Sequence, residues 1–90
     1  MRVRVKFVKI PNNIFGSSVV DVIVNEGATV KDVIIELVKR YKDKLHVKEQ
    51  EYVDKLLSRT RIILNDKYSN ASAKVNDGDL IMLVALAAGG

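Results

Sequence analysis

The chain opens on a two-residue period. Val3, Val5 and Phe7 alternate with Arg2, Arg4 and Lys6, the pattern of a strand with one face buried and one in water. This strand is expected over Arg2 to Ile10. Pro11-Asn12-Asn13 and Gly16-Ser17-Ser18 mark a loop, and a β-branched run from Val19 to Val24 follows, closed by Asn25-Glu26-Gly27. Two strands with a short connection predict an N-terminal hairpin. The period then lengthens: Val30, Val33, Ile34, Leu37, Val38 and Tyr41 fall on one stripe of a helix. Thr29 and Asp32 have the spacing of a capping box, and Glu36 and Arg40 can pair one turn apart on the wet side.

Lys42 to Glu51 is charged and carries the chain around, after which Tyr52, Val53, Leu56 and Leu57 predict a shorter second helix. Arg61 to Asn65 reads as a short strand and Asn65-Asp66-Lys67 as a turn, whereas Tyr68 to Lys74 is polar and poorly patterned. Val75-Asn76-Asp77-Gly78-Asp79 is a strong turn signal, because Asp and Gly support positive φ and local side-chain hydrogen bonds. Leu80 to Leu86 is apolar on both faces, which predicts a central strand. Hairpin, helix, short strand and central strand in that order predict an α+β fold. The main helix would cross one face of a mixed sheet, with the first and last strands side by side at its centre. That is the β-grasp arrangement, expected as one domain over residues 1–90 with a flexible tail at 87–90.

Composition narrows the function classes. At 48% hydrophobic and 29% charged, the 90 residues suit a compact core and not a disordered segment. The absence of cysteine removes disulfides, thiolate metal sites and cysteine nucleophiles together, and favours a cytoplasmic location. The first residues alternate charge with apolar side chains, unlike a signal peptide. The longest uncharged apolar run, Leu80 to Ala88, is half of what a membrane span requires. Fifteen basic against eleven acidic residues give a net charge of +4, spread along the chain. Such an excess helps attract an acidic protein surface; it is too dispersed to indicate nucleic acid.

Catalytic signatures are nearly absent. His46 is the only histidine and sits in a charged stretch, no Gly-x-Ser-x-Gly elbow surrounds any serine, and no phosphate-binding loop is present. Asp77 and Asp79 flank Gly78, which suits a tight turn better than a carboxylate pair for catalysis or metal. Arg2, Arg4 and Lys6 read as a solvated strand face, since no aromatic side chain alternates with them to stack on bases. The ending is different. With glycine at about 7% of residues, two terminal glycines arise by chance in about 0.5% of chains. Here Gly89-Gly90 follows directly on an apolar strand. A tail without side chains can thread a narrow channel in another protein and present its carboxylate there.

Four pieces in this order carry a resemblance over essentially the whole chain. They are Gly27-Ala28-Thr29-Val30-Lys31-Asp32-Val33-Ile34, Ile63-Leu64-Asn65-Asp66, Val75-Asn76-Asp77-Gly78-Asp79 and Ala88-Gly89-Gly90. Together they resemble the ubiquitin-like sulfur carriers of the MoaD/ThiS superfamily, most closely the MoaD branch, the small subunits of molybdopterin synthase. ThiS carriers share the ending but are usually shorter, without room for the Tyr41 to Arg59 segment. Many MoaD sequences have Pro-Pro where this chain has Ala85-Leu86.

The resemblance implies a carrier with no catalytic side chains and no bound cofactor. A ubiquitin-activating-type enzyme of the MoeB/ThiF kind would use ATP to adenylate the Gly90 carboxylate. A sulfur donor would convert it to a thiocarboxylate, and a MoaE-like large subunit would receive the sulfur for molybdopterin. The same superfamily leaves open a protein modifier joined through Gly90 to lysines, or a carrier for thiamine or tRNA thiolation. Strand periodicity supplies the docking residues. If Val3, Val5, Phe7, Ile81 and Leu83 face the helix, then Met82, Val84 and Leu86 face away from it and Ile63 joins them. With Ala87 and Ala88 these form the expected partner-binding patch beside the Gly89-Gly90 carrier end. Homodimerisation, or cover from the second helix, is the other way to account for such a patch.

Overall fold

The computed structural model describes residues 1–10 and 14–86. Five strands form one sheet: β1 (Arg2–Val8), β2 (Val19–Ile23), β3 (Thr60–Leu64), β4 (Lys67–Tyr68) and β5 (Leu80–Ala85), in the order β2-β1-β5-β3-β4. β1 and β5 run parallel at the centre, and the other three pairings are antiparallel. This is the expected α+β, β-grasp topology. A strand apolar on both faces belongs between two others, and β5 lies there.

Two helices cover one face, α1 (Val30–Lys39) and α2 (Glu49–Ser58). α1 begins where the sequence places it. The Thr29 hydroxyl accepts from the Asp32 amide at 3.2 Å, and an Asp32 carboxylate oxygen accepts from the Thr29 amide at 2.9 Å. The reciprocal pair satisfies two backbone donors that a helix start leaves open. The stripe Val30, Val33, Ile34, Leu37 and Val38 is fully buried against Val3, Val5, Val22, Ile81 and Leu83. Each such side chain contributes about 1.5–3 kcal/mol of burial. The predicted Glu36–Arg40 pair does not form. The helix ends at Lys39, so Lys39 takes Glu36 at 3.5 Å, while Arg40 turns to donate to the Asp21 carbonyl.

Other boundaries also shift. Lys9 at φ 58° turns the chain out of β1 before Ile10. The charged connection is shorter than expected. It holds a 3-10 turn at Lys42–Lys44, and α2 already begins at Glu49. Only Val53 of α2 is fully in the core. β4 falls in the stretch read as unpatterned: Asn65 (φ 50°) and Asp66 (φ 72°) make a two-residue hairpin turn that folds Lys67 and Tyr68 back on β3. The turn before β5 is tied down from several sides. Asp77 accepts from the Arg2 amide at 2.7 Å, and Asp79 accepts from the Asn76 amide and the Asn65 side chain. Both carboxylates are therefore structural, and Gly78 supplies the required φ of 84°.

Candidate partner interface and carrier end

Alternation along β1 and β5 decides which side chains the helices leave uncovered. Val3, Val5 and Phe7 point into the core with Ile81 and Leu83, so Arg4, Lys6, Val8, Leu80, Met82 and Val84 share the opposite face. The register sets them side by side: Lys6 beside Met82, Val8 beside Val84, and on the other flank Ile63 beside Met82 and Arg61 beside Val84. The face is an apolar file along β5, widened by Ile63 and Val8. Arg4 and Lys6 border it on one side and Arg61 on the other. Arg4 pairs with Asp21 at 3.1 Å, and the Arg61 guanidinium lies 5.2 Å from the centre of the Tyr68 ring.

Three of the sequence-derived docking residues, Ile63, Met82 and Val84, are brought together here, each half-buried by its neighbours in the sheet. α2 does not cover them, because Val53 carries it into the core beside α1. Leu86 lies one residue beyond the strand, 47% exposed, with its amide donating to the Arg59 carbonyl at 3.1 Å. Ala87, Ala88, Gly89 and Gly90 lie outside the described residues. Sequence reasoning missed Val8, Leu80 and the basic border as parts of this face. The signal was present: the same period that sets Arg4 and Lys6 outward sets Val8 outward beside them.

Elsewhere the geometry offers little chemistry. His46 is exposed in the connection after α1. The hydroxyls of Ser17, Ser58 and Ser72 bond locally, to Val19, Lys55 and Asn70. Among the described residues no group of three or more His, Cys, Asp or Glu side chains is placed to hold a metal ion. Nor is any helix among the described residues long and apolar enough to cross a membrane. Burial pushes the Tyr52 phenol above its ordinary 10.0, and a hydrogen bond with the Ile14 backbone partly offsets the shift.

The model of the ThiS family matches residues 5–90, nearly the whole chain and inclusive of Gly89-Gly90. The chain belongs to the ThiS family. Solved structures similar to this ThiS-family chain agree on the fold. SAMP1 from Haloferax volcanii, also described as small archaeal modifier protein 1, is 22% identical with a TM-score of 0.74 and full coverage of both chains. A chain of the complex of subunits 1 and 2 of molybdopterin-converting factor from Helicobacter pylori is 24% identical, with a TM-score of 0.53 and full coverage of both. A chain of the BexX/CysO complex from Amycolatopsis orientalis is 29% identical, with a TM-score of 0.66, covering 98% of this chain and 99% of that one. No curated protein matches. The chain is thus a ubiquitin-like protein of a sulfur-carrier family, and similar chains occur in complexes with second proteins.

Proposed function

We propose that this protein carries sulfur on its C-terminal glycine. A partner enzyme adenylates the Gly90 carboxylate with ATP, releasing pyrophosphate, and a sulfide nucleophile then displaces AMP to leave a thiocarboxylate. Sulfur is more nucleophilic and polarizable than oxygen, so the modified end can attack an electrophilic carbon held by a second partner. All side chains that catalyse these steps belong to the partners, and the chain itself binds no cofactor. The observation carrying this reading is the family match running through Gly89-Gly90, four residues along the chain from the end of β5, whose outward apolar face neither helix covers.

Partner contact is assigned to Ile63, Met82, Val84 and Leu86, continued by Ala87 and Ala88. Burying an apolar file while leaving basic groups at its edge is the usual anatomy of a protein interface. The most specific form of the reading is the small subunit of molybdopterin synthase. There an adenylating enzyme of the MoeB/ThiF kind loads the tail and a MoaE-like large subunit receives the sulfur. Likeness to a small archaeal modifier protein favours a second reading, conjugation through Gly90 to lysines of other proteins. Pyrophosphate exchange by the cognate adenylating enzyme tests the shared first step. The full chain should support ATP-dependent exchange, and a chain lacking Gly90 should support none while melting at the same temperature. Equal exchange from both chains overturns the assignment of the terminus.

A further inference from the structure

Ala85, the last residue of β5, points to the helix side of the sheet, opposite the face just described. There it joins Ile10, Tyr52 and Leu56 in the floor of a groove of about 260 Å³. The rim is cationic, formed by Lys9, Lys55 and Arg59. Lys55 is paired with Glu51 at 3.4 Å. Among the described residues no carboxylate lies within ion-pair distance of Lys9 or Arg59. The walls are fixed. The Thr60 hydroxyl donates to the Leu56 carbonyl at 2.7 Å, tying the end of α2 to β3. The Phe15 ring meets Tyr52 edge-on at 6.4 Å, beside its stacking on Phe7 at 4.7 Å.

We propose that this groove is a second docking point, taking an apolar side chain flanked by carboxylates from the protein that adenylates the C-terminal end. The inference rests on the carrier reading and names the chemistry of that partner's contact. Three features select this occupant. The volume lies below the range of about 300–1,000 Å³ usual for small-molecule sites, yet suits one bulky side chain. The floor is apolar and the rim carries Lys9 and Arg59, without a carboxylate partner among the described residues, which complement an acidic segment with an apolar anchor and repel a basic one. Finally, the groove is continuous with the path to the terminus. The Arg59 carbonyl, on its wall, receives the amide of Leu86, the residue from which the chain continues toward Gly90. A partner that holds the tail therefore meets both faces at the end of β5, Val84 on one and Ala85 on the other.

The test is pyrophosphate exchange by the cognate adenylating enzyme, followed as a function of carrier concentration, with ATP and labelled pyrophosphate as the other substrates. Three chains are compared: wild type, Lys9→Glu/Arg59→Glu, and a control with the same charge change at Lys31 and Lys74. The control residues lie at the other end of the sheet, where Lys74 bridges Thr29. The groove variant should raise the KM for the carrier by about tenfold or more, and the difference should shrink as salt is added. The control should change it by less than about threefold. A groove variant within about twofold of wild type overturns the proposal, as does an equal rise in the control, which would mean that only net charge matters. A wild-type chain that supports no exchange overturns the carrier reading itself, a result distinct from any difference among variants.

Discussion

Val84 and Leu83 are neighbours in β5 with opposite fates on substitution by aspartate. Val84 is half-buried on the uncovered face, beside Arg61 of β3, and Leu83 is fully buried beneath α1. In the free protein, Val84→Asp loses part of a valine's burial and a β-branched residue, each about 1 kcal/mol. The new carboxylate gains about 0.2–1 kcal/mol from the opposite charge across the strand. The net cost is about 1 kcal/mol, small beside the roughly 5–13 kcal/mol expected for a domain of this length. Leu83→Asp places an unpaired carboxylate in the core, where the desolvation penalty alone removes most of that stability. Docking reverses the balance for Val84. Once the face is covered, its aspartate is buried without a designed partner, at a cost of about 2 kcal/mol, or about thirtyfold in Kd. Urea melts followed by circular dichroism, and titration against the cognate adenylating enzyme, give both numbers. An unfolded Val84→Asp chain would refute the assignment of faces, and a folded one with unchanged Kd would refute the interface.

Three further outcomes follow from local geometry. Thr29→Ala removes the reciprocal cap of α1 and should lower unfolding free energy by about 1 kcal/mol in urea melts, leaving adenylation unchanged. Gly78→Ala should cost about 1 kcal/mol, from the φ of 84° alone, since an added Cβ meets nothing within 4 Å. The raised pKa of the Tyr52 phenol means that the folded state holds this proton more tightly than the unfolded state. Its contribution to stability is full below pH 10 and declines as pH rises above the unfolded value. Ultraviolet titration of tyrosinate should show a late ionisation step from Tyr52, and Tyr52→Phe should remove that step and flatten the alkaline loss of stability.

Much of this architecture was legible in the sequence because one physical signal dominated each element. Period two along Val3, Val5 and Phe7 and period 3.6 along α1 each answer to burial by a single neighbour layer, and the apolar run of β5 matches its place between β1 and β3. The adjacency of β1 and β5 followed from those patterns together with the order of elements. β4 was not legible because two residues, Lys67 and Tyr68, are too few to show a period. Its signal lay in the turn, where Asn65 and Asp66 both take positive φ without a glycine to announce it. The Glu36–Arg40 pair failed for a related reason, since the helix ended one residue early and gave Arg40 a backbone partner. The shared sheet face of Ile63, Met82 and Val84 emerged from strand alternation alone. The groove did not, because its lining comes from the end of β1, the end of α2 and the end of β5, three places whose meeting a linear reading cannot detect.

The most direct test of the carrier reading is the intact mass of the full chain after incubation with its adenylating enzyme, ATP and sulfide. A mass gain equal to one oxygen replaced by sulfur, assigned by fragmentation to Gly90, is the predicted result. A chain that accumulates the AMP adduct and passes to lysines without ever taking up sulfur would contradict it.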